Sequence, residues 1–525
     1  MKKIVIKLTL SLMAFGFANI MYAQSTEDIL NWYNGKTPGM NTDKAYKALK
    51  KDSSSTVIVA VIDSGVDIEH EDLQGHIWTN TQEIPGNKID DDKNGYVDDV
   101  HGWNFLGNAN GENMEDANLE LTRIYRTLKP KYDGKTADEV SDKAEFALYE
   151  KVKKEYEDNR QKYEGYVVQI QNFKDKILPM IPGMVAKQLG KEDYTLKDLE
   201  KWKPEGAQME QIKELAIQLK NGDITDEVMD EQVKQIQSML DYHYNIDFDG
   251  RKVIGDNPDD FSDVRGNGDV EGPDALHGTH VSGIITAIRG NGLGGDGVAT
   301  NVKIMSVRTV PNGDEADKDV ALAIRYAVDN GAQVINMSFG KAYSIHQKEV
   351  YDAMEYASAH DVLLVHAAGN DGEDIDITNN FPAVKYSFQT VPNSHLLTIG
   401  ASTRYSKGKL AASFSNYGDT SVDIFAPGLE IYNTVPNNKY QKLQGTSMAA
   451  PMVTGVAAFL KSYFPKLSML EIKNIILESG KDWSKTMQVI PGGEEKVTFG
   501  TLSTTGKVVD VLAAVKLAKA LSATK

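Results

Sequence analysis

Four short stretches carry residue types that together could do nucleophilic chemistry. GTSMAAPMVTG (445–455) sets Ser447 between Gly445-Thr446 and a run of small, helix-compatible residues. A serine hydroxyl is a weak nucleophile near neutral pH and needs a base to take its proton. HGTHVSGII supplies His277 and His280 at the start of a predicted helix. VIVAVIDSG ends a predicted buried strand on Asp63, and HAAGN places Asn370 in a Gly-containing turn after another. These four types complete one mechanism. His277 would take the proton from Ser447 and return it to the leaving group. Asp63 would hold the imidazole tautomer and stabilise the imidazolium. The Asn370 amide and the Ser447 backbone N–H would bind an oxyanion, and losing one such donor costs about 10²–10³ in turnover. A helix starting at Ser447 adds a dipole that favours negative charge there, and Pro451 is tolerated in its first turns. Taken singly, Ser447 reads as an N-cap and Asp63 as a turn former. Only their combination points to catalysis.

The elements that must position these residues alternate. Apolar, β-branched runs at 57–62, 302–307, 333–338, 362–367 and 396–401 predict buried strands, with helical periodicity at 319–330 and 346–360 between them. This order predicts an α/β fold, a mostly parallel sheet with helices on both faces, whose ligands sit at the carboxyl ends of the strands. Asp63, Ser338 and Asn370 fall at or just past such ends. Gly290-x-Gly292-x-x-Gly295 matches a dinucleotide fingerprint by letter, but it follows a helix and reads as a loop. Residues 114–245 differ in kind. They are rich in Glu, Lys, Gln and Leu, and KAEFALYEKVKKEYEDNRQKYEGYVVQIQNFKDKI predicts a long helix broken at Pro179 and Pro182. The expected layout is a leader over 1–23, catalytic-domain halves over 24–113 and 246–525, and a helical insertion over 114–245.

VIDSG, HGTHVSG, INMSFG, AAGN and GTSMAAP, in this order, resemble the motifs of the subtilisin-like serine peptidases, over about two thirds of the chain. The resemblance implies a three-layer fold, a triad of Asp63, His277 and Ser447, and Asn370 as the oxyanion asparagine. It implies that Ser338, Phe339 and Gly340, with Ala368 and Gly369, line the place where a peptide or protein substrate lies. Main-chain pairing to an extended peptide would accept many sequences. Phe339 and the Ala367-Ala368-Gly369 backbone suggest a cleft open to apolar side chains. His280, the second histidine of HGTH, is expected to be structural.

The insertion lengthens the Asp63–His277 interval well beyond that of simple relatives. It could cap the cleft, restrict substrates, bind a partner, or only solubilise. About 33 residues separate the expected leader cut from VIVAVI, too few for a folded prodomain.

The bulk composition narrows the partners. With no cysteine among 525 residues, disulfides and thiolate chemistry are excluded. A formal charge of −18 argues against nucleic acid. The leader MKKIVIKLTLSLMAFGFANIMYAQ predicts export to periplasm or medium, with an N-terminal anchor as the other reading, and no later stretch predicts a membrane span. No cofactor is expected for catalysis. IDDDKNGYVDD has oxygen-bearing side chains at alternate positions, Asp90, Asp92, Asn94 and Asp98, with Gly95 at the turn and a carbonyl from Tyr96. That spacing suggests structural calcium, although His101 stands where a bidentate Glu is usual. The acidic stretch 247–260 is a weaker metal prospect. A silent binding or chaperone protein, or a peptide ligase or cyclase, are the competing functions.

Overall fold

In the computed structural model, residues 30–523 are described; the expected leader lies outside them. Two units divide the chain, Leu121–Phe248 and the residues that flank it. The insertion therefore begins at Leu121, later than the expected 114, and ends at Phe248. The reason is hydrogen bonding. Met114 N–H donates to Leu106 O at 2.7 Å, Ala117 N–H to Asn312 O at 2.9 Å and Glu120 N–H to Asp314 Oδ2 at 2.7 Å, so residues 114–120 are stitched into the flanking unit.

The larger unit is built on thirteen strands: β1 (Val57–Asp63), β2 (Gly102–Asn104), β3 (Val302–Arg308), β4 (Val334–Met337), β5 (Leu363–Ala367), β6 (Leu396–Ser402), β7 (Ile424–Pro427), β8 (Ile431–Val435), β9 (Lys439–Leu443), β10 (Lys481–Asp482), β11 (Met487–Val489), β12 (Lys496–Thr498) and β13 (Lys507–Val508). Nine form one sheet in the order β10-β13-β7-β6-β5-β4-β1-β3-β2. Every pairing in it is parallel except β10 with β13. The helices of this unit that matter below are α1 (Thr42–Ala48), α2 (Leu276–Thr286), α3 (Asp317–Asp329), α4 (Gln347–Ala359), α5 (Thr446–Tyr463), α6 (Met469–Ser479) and α7 (Val511–Ser522).

Alternation along the strands explains the layers. Val57, Val59 and Val61 of β1 and Leu363, Val365 and Ala367 of β5 enter a core with Val281 and Ile284 of α2, Val453 and Val456 of α5, Ile472 of α6 and Val511 of α7. Ala60, Ile62 and Leu364 enter a second core with Ile324 of α3 and Ala353 of α4. Both faces are covered, so the central strands read as unbroken apolar runs rather than alternating ones. The fold is the expected α/β sandwich of helices around a mostly parallel sheet.

The Leu121–Phe248 unit is helical. Its longest helix, Lys143–Asn172, is capped by Asp142, whose carboxylate accepts from Glu145 N–H at 2.9 Å. The long helix is interrupted before Pro179 and Pro182, and a further helix follows. Phe173–Ile177 continues as a π turn and Leu178–Met180 as a 3₁₀ turn into the helix Ile181–Leu189. Pro182 lies at the start of that helix, where its missing N–H costs no bond. Ile181, Val185, Leu199, Ile212 and Ala216 form a core of this unit. Among the described residues, no helix is long and apolar enough to cross a membrane.

Candidate active site

Asp63 closes β1 and is almost fully buried. Its Oδ1 lies 2.7 Å from His277 Nδ1 and also accepts from Ser64 N–H at 2.8 Å. Its backbone carbonyl accepts from Thr309 and Val310. A carboxylate on Nδ1 fixes the tautomer that leaves Nε2 as the basic nitrogen. Burial pulls the His277 pKa down, but the Asp63 charge and hydrogen bond, with Asp274 nearby, outweigh it and hold the imidazole above its ordinary value.

The Asp63–His277 distance depends on a glycine. A Cβ on Gly278 would stand 2.1 Å from Gly65 O and 3.2 Å from the Asp63 Cβ, so only glycine lets α2 approach the turn after β1 this closely. Gly278→Ala is expected to cost about 1–3 kcal/mol of stability by overpacking and to slow any reaction of Ser447. Denaturant unfolding and labelling kinetics check both halves.

Arg308, which pairs with Asp63 in the β1–β3 register, was not singled out from sequence. It is buried, and its guanidinium donates to Ser64 O at 2.9 Å, Asn104 Oδ1 at 3.0 Å and Met114 O at 2.7 Å. It therefore pins the turn that carries Asp63. Burial lowers its pKa to about 10. A charged residue closing a strand whose neighbours are buried was the available signal.

His280 is buried, with Nε2 3.1 Å from both Ile431 O and Gln441 O. Burial drops its pKa to about 3, so it stays neutral and ties α2 to the β8–β9 hairpin. This matches its expected structural role.

Ser447 is half-buried in the first turn of α5. Its hydroxyl donates to Ser338 O at 3.1 Å, while Ser338 Oγ donates back to Ser447 O at 2.9 Å. In this arrangement the hydroxyl is committed to Ser338 rather than to His277. Asn370, just past β5, is exposed, and its Oδ1 accepts from Thr446 N–H at 2.8 Å and Thr446 Oγ1 at 3.1 Å. The amide orientation is thereby set, with Nδ2 left as the donor end. A Cβ built on Gly445 would lie 3.5 Å from both Asn370 Nδ2 and Ser447 N, and Gly445 has φ of +151°. Both donors, with Asn370 Oδ1 at the same distance, border the space that a side chain at 445 would fill. Ser447 N–H is among the helix-start donors that lack an intrahelical partner.

Ser338, Phe339 and Gly340 continue past the end of β4, and Ala368 and Gly369 past the end of β5. The residues expected to line the cleft differ in what they present. Phe339 and Ala368 are buried, Phe339 packing in the second core, so these residues offer backbone rather than side chains. Two asparagines that sequence did not flag hold the segments. Asn416 Nδ2 donates to Ala368 O at 3.0 Å and its Oδ1 accepts from Asp371 and Glu373 N–H. Asn380 Nδ2 donates to Ala368 O at 3.0 Å.

The acidic loop differs from its expected ligand set. Glu83, Asp90 and Asp92 bring carboxylate oxygens within 4.8 Å of one another. Glu83, seven positions upstream of Asp90, was missed. Asp98 is not in this group; its oxygens accept from Gly86 and Lys88 N–H at 2.9 and 2.7 Å. Asn94 Oδ1 accepts from Tyr96 N–H at 2.8 Å, and the Tyr96 ring packs on Trp103 and Tyr326. These three carboxylates are the group among the described residues whose oxygens could meet one cation. The stretch 247–260 does not: Asp256 is neutralised by Arg251 and, at 2.5 Å, by Lys318. Gly290–Gly295 is a loop, tied to Asp72 through Asn291 Nδ2 at 2.6 Å.

A model of the subtilase family matches residues 54–166 and 210–499, and the chain belongs to that family. The thermophilic serine proteinase of Bacillus sp. strain AK1 is 36% identical over 245 residues, 46% of this chain and 54% of its own length. Thermitase of Thermoactinomyces vulgaris is 39% identical over 187 residues, 35% of this chain and 61% of its own. The chain thus spans little more than half of the first of these relatives. A solved cold-adapted subtilisin-like serine proteinase is 30% identical, with a TM-score of 0.37, over 48% of this chain and 80% of that one.

Proposed function

We propose that this chain is an exported serine endopeptidase acting on extended peptides through an acyl-enzyme. The observation that carries the reading is the 2.7 Å contact of His277 Nδ1 with buried Asp63 Oδ1, at the same sheet end as Ser338 and Asn370. Ser447 Oγ turns from the Ser338 carbonyl to His277 Nε2, gives up its proton there and attacks the substrate carbonyl carbon. The carbonyl electron pair becomes an oxyanion held by Asn370 Nδ2 and Ser447 N–H. Collapse expels the amine, which takes the proton from His277 and leaves an ester on Ser447. Water then attacks with His277 again as base, releasing the acid and restoring the serine. Glu83, Asp90 and Asp92 are proposed to hold a structural calcium ion with no part in these steps. Export to the periplasm or medium rests on the leader, and the insertion is proposed to act on substrate access or to bind a partner.

A silent binding protein is the second reading, favoured by the Ser447 hydroxyl being bonded to Ser338 O. A serine-reactive fluorophosphonate separates the two. The purified protein is expected to be labelled and Ser447→Ala is not, and a calcium chelator is expected to lower the melting temperature. A folded but unlabelled parent overturns the peptidase reading. A melting temperature unmoved by chelator overturns the calcium assignment alone.

A further inference from the structure

The segment 338–340 is short, yet it is gripped on both sides. On the β5 side, buried His366 has Nε2 2.8 Å from Phe339 O, and burial holds its pKa down at about 4, so it remains a neutral donor. On the other side the next residue is Lys341, whose backbone pairs both ways with Phe381 at 3.1 and 2.9 Å. The Lys341 side chain is buried. Its ammonium lies 2.7 Å from Glu120 Oε2, 2.8 Å from Asp317 Oδ1 and 2.8 Å from Glu315 O. That is one acceptor for each of its three protons.

The acceptors come from two pieces of chain far apart in sequence, Glu120 from one and Glu315 with Asp317 from the other. Glu120 is buried and is the last residue before the helical insertion begins. Asp317 starts α3, and its Oδ2 accepts from Ser344 Oγ, Ile345 N–H and His346 N–H at 2.8–3.0 Å. Glu315 ends the segment in which Asn312 pairs with residues 115–117. A methionine would fill the same length of space. An ammonium with two carboxylates also fixes the spacing of its partners, because moving any of them strands a charge away from water.

We propose that Lys341 is a positioning residue that locks the substrate-pairing segment 338–340 to the chain entering the insertion. The inference rests on the peptidase reading and deepens it. Lys341 does not face the reacting atoms, so loosening it should weaken the grip on an extended peptide and leave the chemistry of Ser447 intact.

The test compares the full-length parent with Lys341→Met, Lys341→Arg and Glu120→Gln. Lys341→Met is expected to raise KM for an extended peptide about tenfold, with kcat and fluorophosphonate labelling within about twofold of the parent. Lys341→Arg, which keeps the charge, is expected to stay near the parent. Glu120→Gln keeps the side chain's size and an acceptor oxygen, and is expected to raise KM several-fold in the same direction. It serves if Lys341→Met does not fold. Hydrogen exchange of the peptide covering 338–341 is expected to quicken in both Lys341→Met and Glu120→Gln. Unchanged exchange in Glu120→Gln, or kcat and labelling falling along with the rise in KM, overturns the lock. An unlabelled parent overturns the peptidase reading instead, and exchange still decides whether the lock exists.

Discussion

Asp63→Asn is expected to lower kcat/KM about 10⁴-fold near neutral pH, as loss of this carboxylate does in enzymes of the same chemistry. The amide can hold His277 in the wrong tautomer, presenting an Nε2 that already bears a proton. The charge that stabilises the imidazolium is lost as well. The pH dependence gives a second signature. Burial depresses the His277 pKa, while Asp63 and Asp274 raise it further than burial lowers it. A general base works only when neutral, so the acid limb of kcat/KM should lie above the free-histidine value near 6.5 in the parent. In Asp63→Asn the residual activity should show that limb displaced to lower pH. Stability moves the other way. A histidine whose folded pKa is raised adds stability that is complete below its unfolded pKa and is lost as pH rises through the folded one. The parent should therefore give up this contribution over the same pH interval in which it gains activity. Asp63→Asn should flatten that slope. Unfolding curves and pH–rate profiles on one preparation check both, and an unmoved acid limb would remove Asp63 from its role.

The central sheet was legible because burial on both faces writes strands as unbroken apolar runs; the expected strand at 57–62 became Val57–Asp63, and 396–401 became Leu396–Ser402. The marginal strands were not. β10 and β13 have two residues each and depend on neighbours distant in sequence. The β8–β9 hairpin did carry a signal that went unread. The strands are joined by the three residues Pro436, Asn437 and Asn438, and both asparagines have the positive φ that asparagine tolerates in tight turns. Motif residues were legible because their chemistry is local to a short stretch. Residues that act through space were not. Nothing near Glu83 marks it as a neighbour of Asp90, and nothing in IDDDKNGYVDD tells that Asp98 turns to the amides of Gly86 and Lys88. Phe339 misled for the opposite reason. Its type suggests a pocket wall, but its place beside β4 and His366 puts the ring into the core. The root of the insertion was misplaced because Met114, Glu115, Ala117, Leu119 and Glu120 share the helix-forming composition of the insertion, while the backbone bonds of residues 114–120 to Leu106, Asn312 and Asp314 decide where they belong.

Asn370 carries the other large effect, and two substitutions are needed to read it. Removing one oxyanion donor costs about 10²–10³ in kcat, with little change in KM, because the donor acts on charge that develops after binding. Asn370→Ala should show that loss. Yet Asn370 Oδ1 also accepts from Thr446 N–H and Oγ1, so alanine frees the residue before Ser447 as well. Asn370→Asp separates the two roles. An aspartate keeps an oxygen for Thr446 and should hold the start of α5 in place. It supplies no N–H donor and sets a negative charge beside the space where an oxyanion would form. If the tether were what mattered, Asp would restore activity that Ala loses. If the donor matters, Asp should be at least as impaired as Ala in kcat while its unfolding midpoint stays nearer the parent's. Steady-state kinetics and denaturation of the three proteins decide between them. Equal kcat in parent and Asn370→Asp would leave Ser447 N–H as the oxyanion donor that the reaction depends on.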